Sequence, residues 1–151
     1  MSLPSMADYF TMRRYTAALF GLLLFGCSSD NSVSADIDAA VGVYSLQTVD
    51  GKPLPFDAGN QGGVEVVIVK DQYTLASGRT YTRDGTLRLT QFGTTVTQSV
   101  TESGTWTLNG GTLTLTVGSS SLGQTGNYSG SLTGSTLSIN EMGFLGVYKK
   151  G

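Results

Sequence analysis

Gly104-Thr105-Trp106-Thr107-Leu108-Asn109-Gly110-Gly111-Thr112-Leu113-Thr114-Leu115-Thr116-Val117 decides how the rest of the chain is read. Threonine alternates with large apolar residues on both sides of Asn109-Gly110-Gly111. Successive side chains of a strand point to opposite faces. Trp106 and Leu108 therefore share one face with Leu113, Leu115 and Val117, and the threonines take the other. Asparagine and glycine between two such runs supply the positive φ angles of a tight hairpin turn. The stretch is an antiparallel hairpin with one oily and one wet face.

Toward the C-terminus a weaker copy follows in Gly126–Leu132, a turn at Gly134 and Thr136–Ile139, and Phe144–Lys150 forms a last strand. Toward the N-terminus, Thr94–Val100 places Val96, Gln98 and Val100 on one face. Tyr81–Leu89 reads as a hairpin about Asp84-Gly85, because glycine carries no Cβ to clash at positive φ. Lys70-Asp71-Gln72 reads as a turn into Tyr73–Ala76, and Val64–Val69 as a central, largely apolar strand. Gly59–Gly63 is expected to be a polar loop. Gly51–Pro55 is expected to turn the chain, since its prolines remove ladder donors, and Val41–Val49 is the first strand. The expectation is an all-β fold, an up-and-down antiparallel meander of about eight to ten strands. Such a meander closes most easily into a small barrel, which removes its exposed edges.

Composition narrows the chemistry. The chain has 151 residues, no histidine and one cysteine. The commonest general base and metal ligand is therefore missing, and no intrachain disulfide is available. Serine or cysteine nucleophiles lack an imidazole partner. Gly59-Asn60-Gln61-Gly62-Gly63 has neither the lysine nor the helix start of a phosphate loop. No catalytic residue, metal site or cofactor is expected, and the protein is expected not to be an enzyme. From Cys27 onward there are ten acidic and seven basic side chains, the opposite of a nucleic-acid footprint.

Before the strands, Arg13-Arg14 opens a run of about ten apolar residues that ends at Leu24-Phe25-Gly26-Cys27. That run has signal-peptide length and is too short to span a bilayer, which takes about 20 apolar residues. Leu24-Phe25-Gly26-Cys27 resembles the lipobox of bacterial lipoproteins. The resemblance implies lipid attachment at Cys27 and cleavage after Gly26, and Ser28 then favours the outer membrane. Residues 1–26 are the expected signal peptide. Met1–Thr11 suits a basic n-region poorly, which makes Met12 the favoured start. Residues 27–40, rich in serine and aspartate, are expected to be a lipidated flexible tether, and residues 41–150 the barrel domain.

Gly42-Val43-Tyr44-Ser45-Leu46, Val49-Asp50-Gly51-Lys52-Pro53-Leu54-Pro55, Ser103–Leu108 and Gly146-Val147-Tyr148-Lys149 together resemble bacterial lipocalin-like domains. The resemblance implies a small antiparallel barrel, often carried on lipoproteins. Tyr44 stands where true lipocalins have a tryptophan. Tyr44, Trp106, Tyr128 and Tyr148, with apolar bodies and polar tips, are the expected lining of a ligand pocket. Packing of the same side chains into a core is the plainer alternative. Arg79, Arg83 and Arg88 form either a small cationic patch or solvated outer-face charges. The expected protein is a lipid-anchored, periplasm-facing binder of a small apolar or amphipathic molecule. The alternative is a packed barrel that docks another envelope protein.

Overall fold

A computed structural model of the chain describes residues 31–151. The expected signal peptide, Cys27 and the first part of the tether lie outside the described residues. One helix, α1 (Asn31–Ala40), precedes ten strands. They are β1 (Gly42–Val49), β2 (Lys52–Pro53), β3 (Phe56–Gln61), β4 (Val64–Leu75), β5 (Thr80–Gln91), β6 (Thr94–Asn109), β7 (Thr112–Ser120), β8 (Gly126–Thr133), β9 (Thr136–Glu141) and β10 (Phe144–Lys150).

From β3 to β10 each strand pairs antiparallel with the next. β10 returns to β1, with Tyr44 opposite Lys150 and Val49 opposite Gly146. On its other side β1 meets the end of β4, Gly42 opposite Leu75 through Ser45 opposite Gln72. Those seams close eight strands, β1 and β4 to β10, into an antiparallel barrel. β2 and β3 lie outside the ring, against the end of β1 and the first half of β4. Closure pairs the ring strands with one another, and the terminal strands of the sheet are β2 and β3.

The deciding hairpin forms as its alternation requires. Trp106 lies opposite Leu115 and Leu108 opposite Leu113. Gly110 and Gly111 take φ of 55° and 83° in the turn. Gly104, on the same face as Trp106, allows an approach that no other residue permits. A Cβ there would overlap the Thr116 carbonyl oxygen and come 2.8 Å from Tyr81 Cε1.

Several expectations are corrected. Asp84-Gly85 is no turn but the middle of β5, with Asp84 opposite Gln72 and Gly85 opposite Asp71. The turn falls at Phe92-Gly93, both at positive φ. Gly85 owes its place to packing: a Cβ there would meet Asp71 Oδ1 at 3.1 Å and Val100 Cβ at 3.4 Å. Lys70-Asp71-Gln72 is likewise inside a strand. The pairing of β4 with β5 slips between Ile68 and Lys70, and such a bulge changes which side chains face inward. Ile68 faces in before it, and Asp71, Tyr73 and Leu75 are buried after it. Gly59–Gln61, expected to be loop, belongs to β3, and only Gly62-Gly63 turns. Val96, expected on one face with Val100, is 54 % exposed near the tip of the β5–β6 hairpin, whereas Val100 is buried.

The second part of the expected tether, Asn31–Ala40, is helix. Its last carbonyls, which have no partner within a helix, are taken up by the barrel. Tyr44 OH donates to Ala40 O at 2.7 Å and Lys150 Nζ to Ala39 O at 2.8 Å. Ala40 is buried and Ile37 packs on the core. The helix therefore sits at one end of the barrel. The core lies at that end too: Trp106, Tyr44, Tyr73, Tyr81, Leu75, Leu113, Leu115 and Leu137 are all less than 2 % exposed.

Candidate functional site

The other half of the barrel is hollow. A cavity of about 310 Å³ opens between the β3–β4, β7–β8 and β9–β10 connections, bordered there by Gln61, Leu122, Gln124 and Met142. Leu46, Val49, Val66, Ile68, Leu87, Val100, Ile139 and Phe144 make its wall. These come from β1, β4, β5, β6, β9 and β10 at inward positions of the two-residue alternation. Phe144 is braced by Phe56 of β3, edge to face at 5.6 Å between ring centroids. The volume falls at the lower end of the range for small-molecule pockets, about 300–1,000 Å³. An eight-stranded barrel has room for side chains or one small ligand. This one divides its length between the two.

Asp71, Arg83, Glu141 and Tyr148 also line the cavity, and they lie between the wall residues and the packed end. Arg83 Nε and Nη2 grip Asp71, at 3.0 Å and 2.7 Å. Arg83 Nη1 reaches Glu141 at 2.8 Å. Tyr148 OH donates to Asp71 Oδ2 at 2.8 Å, and the Gln72 amide donates to Asp71 Oδ1 at 3.0 Å. The guanidinium also lies 5.2 Å from the Tyr73 ring centroid, within the range of a cation–π contact. Burial opposes the Arg83 charge, but Tyr73, Asp71 and Glu141 outweigh it and hold the group protonated well above its usual value. Burial, followed by the charge of Asp71, raises Tyr148 well above the ordinary tyrosine range, so it remains a donor.

A second polar cluster faces inward from β6. Glu102, 4 % exposed, accepts from Tyr81 OH at 2.8 Å and from Tyr128 OH at 3.4 Å. Burial raises the Glu102 pKa; the Tyr81 bond and the Arg83 charge pull it the other way. Tyr128, pushed up to about 12 mainly by burial and then by the Glu102 charge, also hydrogen-bonds Gln124 of the β7–β8 loop. Tyr73 OH is buried with no hydrogen-bond partner among the described residues.

Of the four expected lining residues only Tyr148 lines the cavity. Tyr44 is fully buried at the packed end and spent on the helix carbonyl. Trp106 is 1 % exposed, donates Nε1–H to Ala76 O at 3.0 Å and lies under Arg79. Tyr128 is half-buried beside Glu102. Tyr44 and Trp106 belong to the buried core. The three arginines make no patch: Arg79 covers Trp106, Arg83 is inside the barrel and Arg88 is exposed. Gly130 and Gly146, at inward positions, leave no gaps of their own. Ile139 Cγ1 lies 3.0 Å from where a Gly130 Cβ would stand, and Tyr148 Cε2 2.9 Å from that of Gly146.

Asp71, Arg83, Glu102 and Glu141 were not singled out by the sequence reading as interior groups, yet the signal is present. Arg83 has the parity of Tyr81, Glu102 that of Trp106, Glu141 that of Ile139, and Asp71 that of Tyr73 and Leu75. Each polar residue shares a face with apolar core residues, and the two misplaced turns hid this for Asp71 and Arg83.

A family model described as Lipocalin-like domain matches residues 41–139. The match runs from the start of β1 into β9; β10, which closes the barrel onto β1, follows it. No curated protein matches the chain.

Proposed function

Since the chain belongs to the lipocalin-like domain family, we propose that it is a non-catalytic binder of a small apolar or amphipathic molecule held in the open half of the barrel. One observation carries this reading: the cavity of about 310 Å³ has an apolar wall and a polar floor. An apolar pocket with a few convergent polar groups is the usual form of a small-molecule site. Native mass spectrometry of the chain purified from its host, with titration of an environment-sensitive fluorescent amphiphile, tests it. A retained small molecule or saturable one-to-one probe binding is expected. A chain that neither retains a molecule nor binds the probe refutes the proposal.

The reading extends to place. Lipid attachment at Cys27 would hold the domain at the bacterial cell envelope, on the periplasmic side of the outer membrane. Several acyl chains together give firm attachment, since each buried CH₂ contributes roughly 0.8 kcal/mol. Cys27→Ala is expected to abolish acyl labelling and release the protein from membranes; an unchanged membrane fraction overturns the assignment.

A second reading, docking of an envelope protein, draws support from the rim. Phe92 is 98 % exposed, Met142 75 %, Val96 54 % and Leu122 40 %, and all four stand at the cavity end of the barrel. Exposed apolar groups in one region mark interaction surfaces. In-envelope crosslinking from Phe92 that recovers one defined protein would support this role. Crosslinking that recovers none removes it.

A further inference from the structure

Resting on the cavity as a ligand site, we propose that its ligand is a cationic amphiphile. Its protonated amine head lodges against Glu141 at the floor, and its apolar body lies along Val66, Ile68, Leu87 and Phe144. The argument begins with charge. The floor holds two carboxylates, Asp71 and Glu141, and one guanidinium, Arg83. Glu102, an inward carboxyl held by tyrosine hydroxyls, does not line the cavity. Lys70 also borders the cavity, but its side chain is exposed and joins neither ion pair. A solvated charge is screened by water and salt, so the enclosed part of the site is left negative. An amine head would neutralise it, whereas a carboxylate or phosphate head would deepen the excess.

Hydrogen-bonding capacity singles out the contact atom. A carboxylate offers about four acceptor positions. Those of Asp71 are taken: Oδ1 receives the Gln72 amide and Arg83 Nε, and Oδ2 receives Arg83 Nε, Arg83 Nη2 and Tyr148 OH. Among the described residues Glu141 receives only Arg83 Nη1, on both its oxygens. Its side chain keeps 16 % exposure against 5 % for Asp71. Glu141 therefore has lone pairs to spare and faces the cavity, while Arg83 already spends all three nitrogens on carboxylates. An anionic head could take only a remaining Nη hydrogen of Arg83, since a guanidinium carries five N–H groups, and would still meet the unbalanced carboxylate of Glu141. A cationic head adds to the array and breaks nothing.

Calorimetric titration of the full chain with decylamine, decanol and decanoate, each below its micelle concentration, tests the head group at constant tail. Decylamine is expected to bind about tenfold or more tightly than decanol, the value of one charge-assisted hydrogen bond in a partly enclosed site. Decanoate is expected to bind weakest. Glu141→Gln is expected to bring decylamine to within about threefold of decanol measured on the same variant, whose remaining decanol binding reports that the cavity still forms. If decanol or decanoate binds the unaltered chain as tightly as decylamine, the cationic head is refuted and the cavity reading stands. If the amine preference survives Glu141→Gln, the placement is refuted. If none of the three binds, the cavity reading falls as well.

Discussion

Arg83→Met removes the guanidinium and keeps most of the apolar stem, so it isolates what the charge does at the barrel midplane. In the native chain Arg83 donates to Asp71 through two nitrogens and to Glu141 through the third. In the variant Asp71, 6 % exposed, keeps only the Tyr148 hydroxyl and the Gln72 amide. A carboxylate left in the interior without its cation costs about 3–5 kcal/mol. Total stability of a domain is commonly about 5–15 kcal/mol, so the variant is expected to fold at 25 °C with a thin margin. For a chain of this size the loss lowers Tm by about 10–20 °C. The assay is built in, because Trp106 is the one tryptophan and is 1 % exposed, so its emission shifts to the red on unfolding. Asp71→Asn combined with Arg83→Met removes the orphaned charge as well and is expected to recover at least half of the loss. A single variant that loses less than about 1 kcal/mol, the value of a solvated pair, would refute the reasoning. A double variant no better than the single would show that the cost is lost packing rather than charge.

Burial raises the Glu102 pKa, so between the usual carboxylate range and the shifted value the folded chain binds more protons than the unfolded one. Stability from this group is full below the unfolded pKa and lost as pH rises through the folded one. Glu102→Gln is expected to remove that falling slope in urea titrations run upward from the ordinary carboxylate range and to exceed the native chain in stability above the shifted titration; parallel curves would contradict it. Gly104→Ala, whose Cβ would overlap the Thr116 carbonyl, is expected to cost about 3 kcal/mol or more by chemical denaturation. Gly118→Ala, whose nearest neighbour would be Ser103 O at 3.4 Å, is expected to stay within about 1 kcal/mol. Leu87→Trp, on the cavity wall, is expected to fill the hollow and abolish binding of the fluorescent amphiphile without lowering Tm by more than about 5 °C. Undiminished probe binding would place the site elsewhere.

The wall of this barrel was legible where polar and apolar residues alternate without interruption. Gly104–Val117 and Thr136–Ile139 have small hydroxyl residues outside and large apolar ones inside, and their strands and turns stand where the pattern puts them. Legibility failed where the inward residue is charged. Asp71 and Arg83 meet across the paired strands β4 and β5, but Glu141 joins them from β9, 58 residues beyond Arg83, so no local window reveals that the three charges compensate one another. Seen locally, Asp84-Gly85 looks like turn chemistry, although Gly85 is there to admit the Asp71 carboxylate. The bulge between Ile68 and Lys70 changes the parity of β4, so simple alternation across it would point Lys70 inward in place of Asp71. The helix was missed for a related reason. Its order comes from Tyr44 and Lys150, which take the carbonyls of Ala40 and Ala39, and not from a long apolar stripe of its own.

The polar floor also explains how so small a domain keeps a hollow. A cavity forfeits the contacts that a filled core would make, and a void in a core destabilises in proportion to its size. Here the packed half supplies a close-fitting aromatic and aliphatic core, from Tyr44 and Trp106 to Leu115 and Leu137. The Arg83 array ties β4, β5 and β9 together at the boundary between the packed and hollow halves. Phe56 of β3, outside the ring, braces the upper wall at Phe144. Side chains cannot simply collapse into the hollow, because collapse would drag Glu141 and Arg83 away from partners they cannot replace in an apolar setting. The same groups that leave the floor negative thus hold it open. Because α1 docks at the packed end, the mouth opens opposite the point where the chain enters the barrel. A domain tethered through its N-terminal segment would then present its cavity and the exposed Phe92 and Met142 away from the anchor.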